Sequence, residues 1–300
     1  MQKIRYIERS TSRECIEQVY GEKAVRLVYG DGIFSRFLFK CILPFVDGVF
    51  SKVYGYLQKT AWSRKKIRPF INAYQIDESE FTSPTDSFGS FNDFFIRKLK
   101  PACRPIASDP NKAVLPADAR YLAYQNVSEV PGFFIKGQTF SLETLLNNPA
   151  LARRYAEGSM VIARLCPTDY HRFHFPCHGV ASKPHLINGP LYSVNPMALS
   201  KNLSILWENK RFVTEIDSPE FGTVLYVEIG ATAVGSVHQT YAFDQAIQKG
   251  QEKGYFSFGG SCLVLLFEKG RIQLDADLLS NSRRYLETYA HFGESLGALV

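Results

Sequence analysis

The chain has 300 residues, 45% hydrophobic and 21% charged, which suits one large or two modest globular domains and excludes a disordered or low-complexity protein. Aromatic residues reach 14%, with 23 Phe and 16 Tyr against 3 Met, a bias that favours β-rich cores and membrane-interface surfaces. The net charge of +6 is uneven: residues 1–70 carry 14 Lys/Arg and 6 Asp/Glu, while the remaining 230 carry 21 and 23, so an anionic partner belongs to the N-terminal segment.

The start, "MQKIRYIERSTSREC", is charged and shows no apolar region of a signal peptide. Residues 25–70 are aromatic and apolar, but Arg36, Lys40 and Asp47 interrupt them well before the roughly 18–20 uncharged residues of a spanning helix. Followed by "SRKKIR", the segment fits a monotopic helix pair in a membrane interface, or else two core helices packed on the domain behind it. The basic run is short and the rest of the chain slightly acidic, which disfavours a nucleic-acid partner.

A Ser/Thr/Pro/Asp/Gly cluster at residues 82–90 reads as a loop, with Ser90 and Asp93 spaced as the N-cap of a short helix, "FNDFFIRKL", that Pro101 ends. From about residue 113 short apolar and alternating runs are punctuated by Gly, Pro and Asn at the spacing of an all-β barrel or sandwich. The expected fold is therefore α+β: membrane-associated helices within residues 1–75, then a mainly antiparallel catalytic core over residues 76–300, barrel or sandwich-like. The six cysteines (15, 41, 103, 166, 177, 262) form no C-x-x-C pair, which argues for reduced thiols and against a disulfide framework or zinc knuckle.

Three stretches carry residue types suited to chemistry. "CPTDYHRFHFPCHG" (166–179) holds His171, His174 and His178 after Asp169, a cluster suited to acid–base work, with no convincing fourth ligand for a metal. "VLPADARYLA" (114–123) places Asp118 after a Pro-Ala turn, either as a turn residue or as the carboxylate that orients a histidine. "GYFSFGGSCLVLLFEKG" (254–270) sets Gly259-Gly260-Ser261 at the head of an apolar strand, where glycine signals a bulge or a close approach to the backbone. A hydroxyl at Ser261 can attack the Gly260 carbonyl and shift the acyl group from N to O, given a base and oxyanion donors. Loss of the serine α-proton then frees a Gly260 carboxylate and leaves a dehydroalanine that hydrolyses to an N-terminal pyruvoyl group.

These stretches together resemble the phosphatidylserine decarboxylases, pyruvoyl-dependent enzymes that cut themselves at a Gly-Ser bond. "FGSFNDFFIRKLKPACRPI" (88–106), "LPAD" (115–118), "CPTDYHRFHFPCHG", "GPLYSVNP" (189–196), "NKR" (209–211), "EIGATAVGSV" (228–237) and "KGQEKGYFSFGGSCLVLLFEKG" (249–270) follow the family's order from about residue 74 to 295. The resemblance implies Ser261 as the self-cleaving serine and source of a covalent pyruvoyl cofactor, His174 as its base, Asp118 as the orienting carboxylate and His171 as the residue of the decarboxylation step. It implies a β chain of residues 1–260, an α chain of residues 261–300 and no required metal. It further implies that phosphatidylserine is decarboxylated to phosphatidylethanolamine through a Schiff base with the pyruvoyl ketone, which acts as the electron sink. An anionic membrane surface, a homodimer and a peripheral place on the cytoplasmic face of the cell membrane complete the expectation.

Two positions depart from the family pattern: Ala119 stands where glycine is usual, and Cys262 where Ser or Thr is usual. They leave open a non-catalytic, membrane-binding relative of the same fold, and attack of Cys262 on the Ser261 carbonyl, which would yield no pyruvoyl group. A serine hydrolase using Ser261 is a further reading, without a G-x-S-x-G elbow to support it.

Overall fold

The computed structural model describes residues 4–18, 53–129, 141–192, 194, 204–230, 237–259 and 261–300. Gly260, most of the expected interfacial segment (residues 25–52) and parts of the "GPLYSVNP" and "EIGATAVGSV" stretches lie outside the described residues.

The alternating runs after residue 113 build most of an 11-stranded sheet. Ten of its strands lie along one path, which includes, in chain order, β1 (Arg5–Glu8), β2 (Arg13–Ile16), β3 (Ala119–Tyr124), β4 (Ser159–Leu165), β5 (Arg211–Ser218), β6 (Gly222–Ile229), β7 (Ser261–Phe267) and β8 (Glu287–Ala290). From one edge to the other the order is Gln245–Ile247, Gly179–Ala181, β5, β6, β7, β4, β3, β8, β1, β2, with His185–Ile187 also pairing β5. All pairs are antiparallel except β1 with β8, where Tyr6 faces Glu287. Two three-stranded sheets accompany it, one of them joining Val237–Gln239, Glu252–Phe256 and Arg172–His174.

The antiparallel character was expected, but no barrel closes among the described residues: the main sheet is open, with Gln245–Ile247 at one edge and β2 at the other. Short strands between regular turns fit both arrangements, and closure depends on a pairing between distant strands that local texture does not encode. Of the expected N-terminal membrane helices, residues 19–52 lie outside the described residues. Residues 53–58, Ala61–Lys66 and Ile67–Tyr74 form short helical pieces, and no helix among the described residues is long and apolar enough to cross a membrane. Residues 5–16 instead form a β-hairpin, pinned to the C-terminal region by Arg9, whose guanidinium reaches Asp275 and Asp277 at 2.8 Å.

Strand β7 explains its own sequence. Leu263, Leu265 and Phe267 enter one core cluster and Cys262, Val264 and Leu266 another, as side chains alternate across the pleat. A strand buried on both faces reads as an unbroken apolar run. Backbone pairing on both sides, to β4 and β6, holds it in the middle of the sheet with Ser261 at its head, opposite Leu165.

A third cluster covers that head. Helix α1 (Ile67–Tyr74) and helix α2 (Phe91–Phe95) pack aromatic rings against Phe258, which meets Phe91 at 5.2 Å and Phe95 at 4.9 Å between centroids. The Ser90 cap forms as its spacing predicts, with Oγ accepting from the Asp93 amide at 3.1 Å. From the first turn of α2, Asn92 Oδ1 accepts from the Phe258 amide at 3.0 Å, so the helical unit grips the chain just before the Gly-Gly-Ser segment.

Lys253 and Glu228 form a fully buried ion pair, with Lys253 Nζ also donating to Gln239 at 2.9 Å and lying 4.9 Å from the Tyr226 ring centroid. Removing one partner strands a buried charge, whereas replacing both by apolar groups removes the desolvation cost as well. Lys253→Met is therefore expected to cost about 3–5 kcal/mol of stability, and adding Glu228→Leu to recover most of it. Urea unfolding of the parent and the two variants checks this, and equal losses in the single and double variants would refute it.

Candidate active site

Ser261 is fully buried, and its hydroxyl lies 3.4 Å from Nδ1 of His171, itself 0% exposed. The other ring nitrogen, Nε2, is 2.9 Å from the Cys166 carbonyl, which can only accept, so Nε2 carries the hydrogen. Nδ1 is then unprotonated and presents its lone pair to the Ser261 hydroxyl. Burial, with a smaller contribution from the nearby Arg97 charge, pushes the His171 pKa down to about 3, so the ring stays neutral at ordinary pH. Phe95 stacks on the ring at 3.9 Å and fixes its plane.

The turn from Cys166 to His171 is held by Asp169. Its Oδ2 accepts from the Cys166 amide at 2.6 Å and from Arg120 at 2.8 Å, while the Asp169 amide donates back to the Cys166 carbonyl at 2.9 Å. Arg120 also pairs with Glu17, which Arg164 reaches at 2.6 Å. Glu17 follows the N-terminal hairpin, and its pKa is lowered to about 2: the two arginines outweigh a burial effect that alone would raise it. The hairpin thus supplies one carboxylate of the network behind His171.

Asp118 is positioned by Tyr121, whose hydroxyl accepts from the Ala117 amide at 3.2 Å and donates to the Ala117 carbonyl. The Asp118 carboxylate takes Arg104 Nε on both oxygens at 3.0 Å and Nη2 at 2.7 Å, and it accepts from the Phe292 amide at 2.9 Å. The Phe292 ring lies flat on His174 at 3.6 Å. His174 is buried, with its pKa pushed down to about 3 chiefly by that burial, and its Nδ1 has no hydrogen-bond partner among the described residues. A cavity of about 320 Å³ opens beside it, lined in part by Lys100, Arg104, Tyr170 and Phe292.

The structure therefore brings Ser261 and His171 into contact. Asp118 and His174 form a neighbouring unit joined through Phe292 and through the His174 amide, which donates to Pro116 at 2.8 Å. His178 points elsewhere, accepting from the Lys249 amide at 3.4 Å. Sequence reasoning singled out none of Arg104, Phe292, Phe95, Asn92 or Glu17. Arg104 and Asn92 lie inside quoted motifs, but nothing in their spacing announces the partner.

Both departures from the family pattern have local explanations. Ala119 is fully buried in a core cluster and is absent from the described non-glycine residues with positive φ, so its turn does not require glycine. Cys262 sits in the core on the opposite side of the strand from Leu263, and burial pushes its thiol up to about 12, a poor state for a nucleophile. Gly259, with φ of +142°, holds a backbone conformation that favours glycine just ahead of the serine.

The sequence model of the family described as phosphatidylserine decarboxylase matches residues 91–298. A curated phosphatidylserine decarboxylase proenzyme from Chlamydia pneumoniae is 47% identical over 297 residues, spanning 99% of this chain and 98% of the relative. Its counterpart from Chlamydia muridarum is 48% identical over 300 residues, spanning 99% and 97%. Another, from Chlamydia caviae, is 47% identical over 301 residues, spanning 99% and 98%. With a match over most of its length and relatives of this identity across nearly all of it, the chain belongs to the phosphatidylserine decarboxylase family.

Proposed function

We propose that this chain is a carboxy-lyase proenzyme: it cuts its own Gly260–Ser261 bond, then decarboxylates phosphatidylserine to phosphatidylethanolamine. The observation that carries this reading is the Ser261 hydroxyl facing a neutral, unprotonated histidine nitrogen in a water-excluded site. In the cut, Ser261 Oγ bonds to the Gly260 carbonyl carbon as its proton passes to His171, and the C–N bond breaks to leave an ester and a free amine. Loss of the Ser261 α-proton expels the Gly260 carboxylate, and hydrolysis of the remaining imine releases ammonia.

The residues present fit a pyruvoyl group at position 261. Strand β7 stays anchored on both sides without the peptide bond before it, and the Nδ1 of buried His171 stands 3.4 Å from the Ser261 Oγ. When formed, the group supplies an electrophilic ketone and an electron sink for the loss of CO2. His171, adjacent to that position, is suited to take the proton that the substrate's ammonium gives up and to return it to the carbon that has lost CO2. Asp118 fixes the amide of Phe292, whose ring orients His174 on the wall of the cavity. A base role for His174 in the cut requires its ring to move toward Ser261, whereas His171 needs no movement.

A lipid substrate also gives the N-terminal surface a role as a peripheral membrane contact on the cytoplasmic face. Tyr56, Leu57 and Trp62 are exposed, with Lys65 stacked over Trp62 at 3.8 Å and Lys59 and Arg64 beside them. The homodimer implied by the resemblance belongs to the same reading.

Denaturing intact-mass measurement of the purified protein is the decisive experiment. Two polypeptides are expected, residues 1–260 ending in a carboxylate and residues 261–300 with a blocked N-terminus, together with CO2 release from phosphatidylserine vesicles. A single full-length chain in an active preparation would end the pyruvoyl reading, flotation with vesicles tests the membrane contact, and native mass tests the dimer.

A further inference from the structure

Arg97 stands two residues beyond α2 and is 5% exposed. Among the described residues its one side-chain hydrogen bond is from Nη1 to the Phe94 carbonyl at 3.5 Å, the limit of such a contact, and Nε has no partner. No described carboxylate lies within ion-pair distance of it. The neighbouring arginines are paired: Arg104 with Asp118 and Glu80, Arg120 with Asp169 and Glu17. The two acids whose fields Arg97 feels most, Asp118 and Asp169, are thus already engaged by other cations. The guanidinium lies over the Phe94 ring at 4.8 Å and the Phe81 ring at 5.2 Å, but such contacts return only part of the cost of burying an ion. An apolar side chain would fill the same space at no such cost.

The place of this charge suggests its use. Phe95, on the same short stretch, stacks on His171, and His171 meets Ser261. Ser261, His171 and Arg97 are each buried in the uncut chain, and the Arg97 charge is near enough to act on the His171 ring that meets Ser261, so a headgroup that reaches position 261 comes within range of Arg97 as well. A serine phospholipid headgroup carries an amine that must reach position 261 and, a few bonds away, a carboxylate and a phosphodiester. A planar guanidinium fork matches either oxyanion in a bidentate pair. We propose that Arg97 holds an oxyanion of the substrate headgroup in the mature site, completing there the pairing it lacks among the described residues. This rests on the decarboxylase reading given above.

Arg97→Gln, Arg97→Lys and Arg97→Met are to be compared with the parent for self-cleavage by intact mass, thermal stability, and KM and kcat on phosphatidylserine in mixed micelles. All three are expected to cleave. Arg97→Gln and Arg97→Met are expected to raise KM ten- to hundredfold with a smaller change in kcat, and Arg97→Lys to raise it less. Inhibition by phosphatidylethanolamine, which keeps the phosphodiester and lacks the carboxylate, separates the two anions. Inhibition weakened by the same factor as substrate binding assigns the phosphodiester, and unchanged inhibition assigns the serine carboxylate. Arg97→Met keeps the apolar stem and removes the buried charge, so it is expected to be at least as stable as the parent. An unchanged KM, a block of cleavage in stably folded variants, or a stability loss in Arg97→Met with KM unaltered would overturn the proposal. Failure of the parent itself to cleave or release CO2 would instead overturn the reading beneath it.

Discussion

Ser261→Ala is expected to remain one 33.9 kDa polypeptide and to release no CO2 from phosphatidylserine, while folding as the parent does. In the proposed reaction the ester forms through this hydroxyl and the elimination that leads to the ketone requires that ester, so its loss removes the cut and the cofactor together. Its structural contribution is small: one contact of 3.4 Å to His171, at the end of a strand paired on both sides. Alanine leaves His171 Nε2 bonded to Cys166 and Phe95 stacked on the ring. The loss of a single weak hydrogen bond costs about 1 kcal/mol. Intact mass, CO2 release and a thermal melt give the three readings. A Ser261→Ala protein that still yields the residue 261–300 fragment would move the cut elsewhere, and one that is uncut because it is unfolded would leave a melt that says so.

His171→Ala has the next largest expected effect, because the proposed reaction uses the same ring in both steps. General-base assistance contributes roughly 10²–10⁴-fold, so the cut is expected to slow by about that factor. Any chain that does process should decarboxylate as poorly, since the proton for the carbon comes from the same place. The pH dependence carries a sign. Burial lowers the His171 pKa to about 3, so the base remains unprotonated as pH falls from 7 towards 4. Cleavage in the parent is therefore expected to show no inflection near 6.5, the value of an exposed histidine. A rate that falls through 6.5 would overturn a buried, neutral histidine as the base, and a His171→Ala chain that cuts at the parent rate would transfer the proton acceptance to His174.

The local features were the most legible in the sequence. The Ser90 cap formed where a serine three residues ahead of an aspartate predicts it, and the apolar run after Ser261 became a strand buried on both faces. What escaped was set by contacts far apart in the chain. The β1–β2 hairpin looks merely charged, because Arg9 and Glu17 are buried or half-buried by partners at positions 120, 164, 275 and 277. Asp118 reads as a partner for a histidine, yet its oxygens are taken by Arg104 and by the amide of Phe292. Of the two motif histidines, spacing alone does not say which faces the serine. That is decided by the Cys166–Asp169 turn, which draws His171 Nε2 to a carbonyl and leaves Nδ1 free for the hydroxyl.

The parallel pairing of β1 with β8 has a consequence for the order in which the protein is made. Strand β8 lies between β3 and β1, and Phe292, just beyond it, supplies the ring beneath His174 and the amide that Asp118 holds. A nascent chain with its final stretch still in the ribosomal tunnel carries Ser261 and both histidines, but it lacks this last wall of the centre. A cut at Gly260–Ser261 would leave the shorter piece interleaved with strands from the beginning of the chain, so that the sheet itself keeps the two halves one molecule.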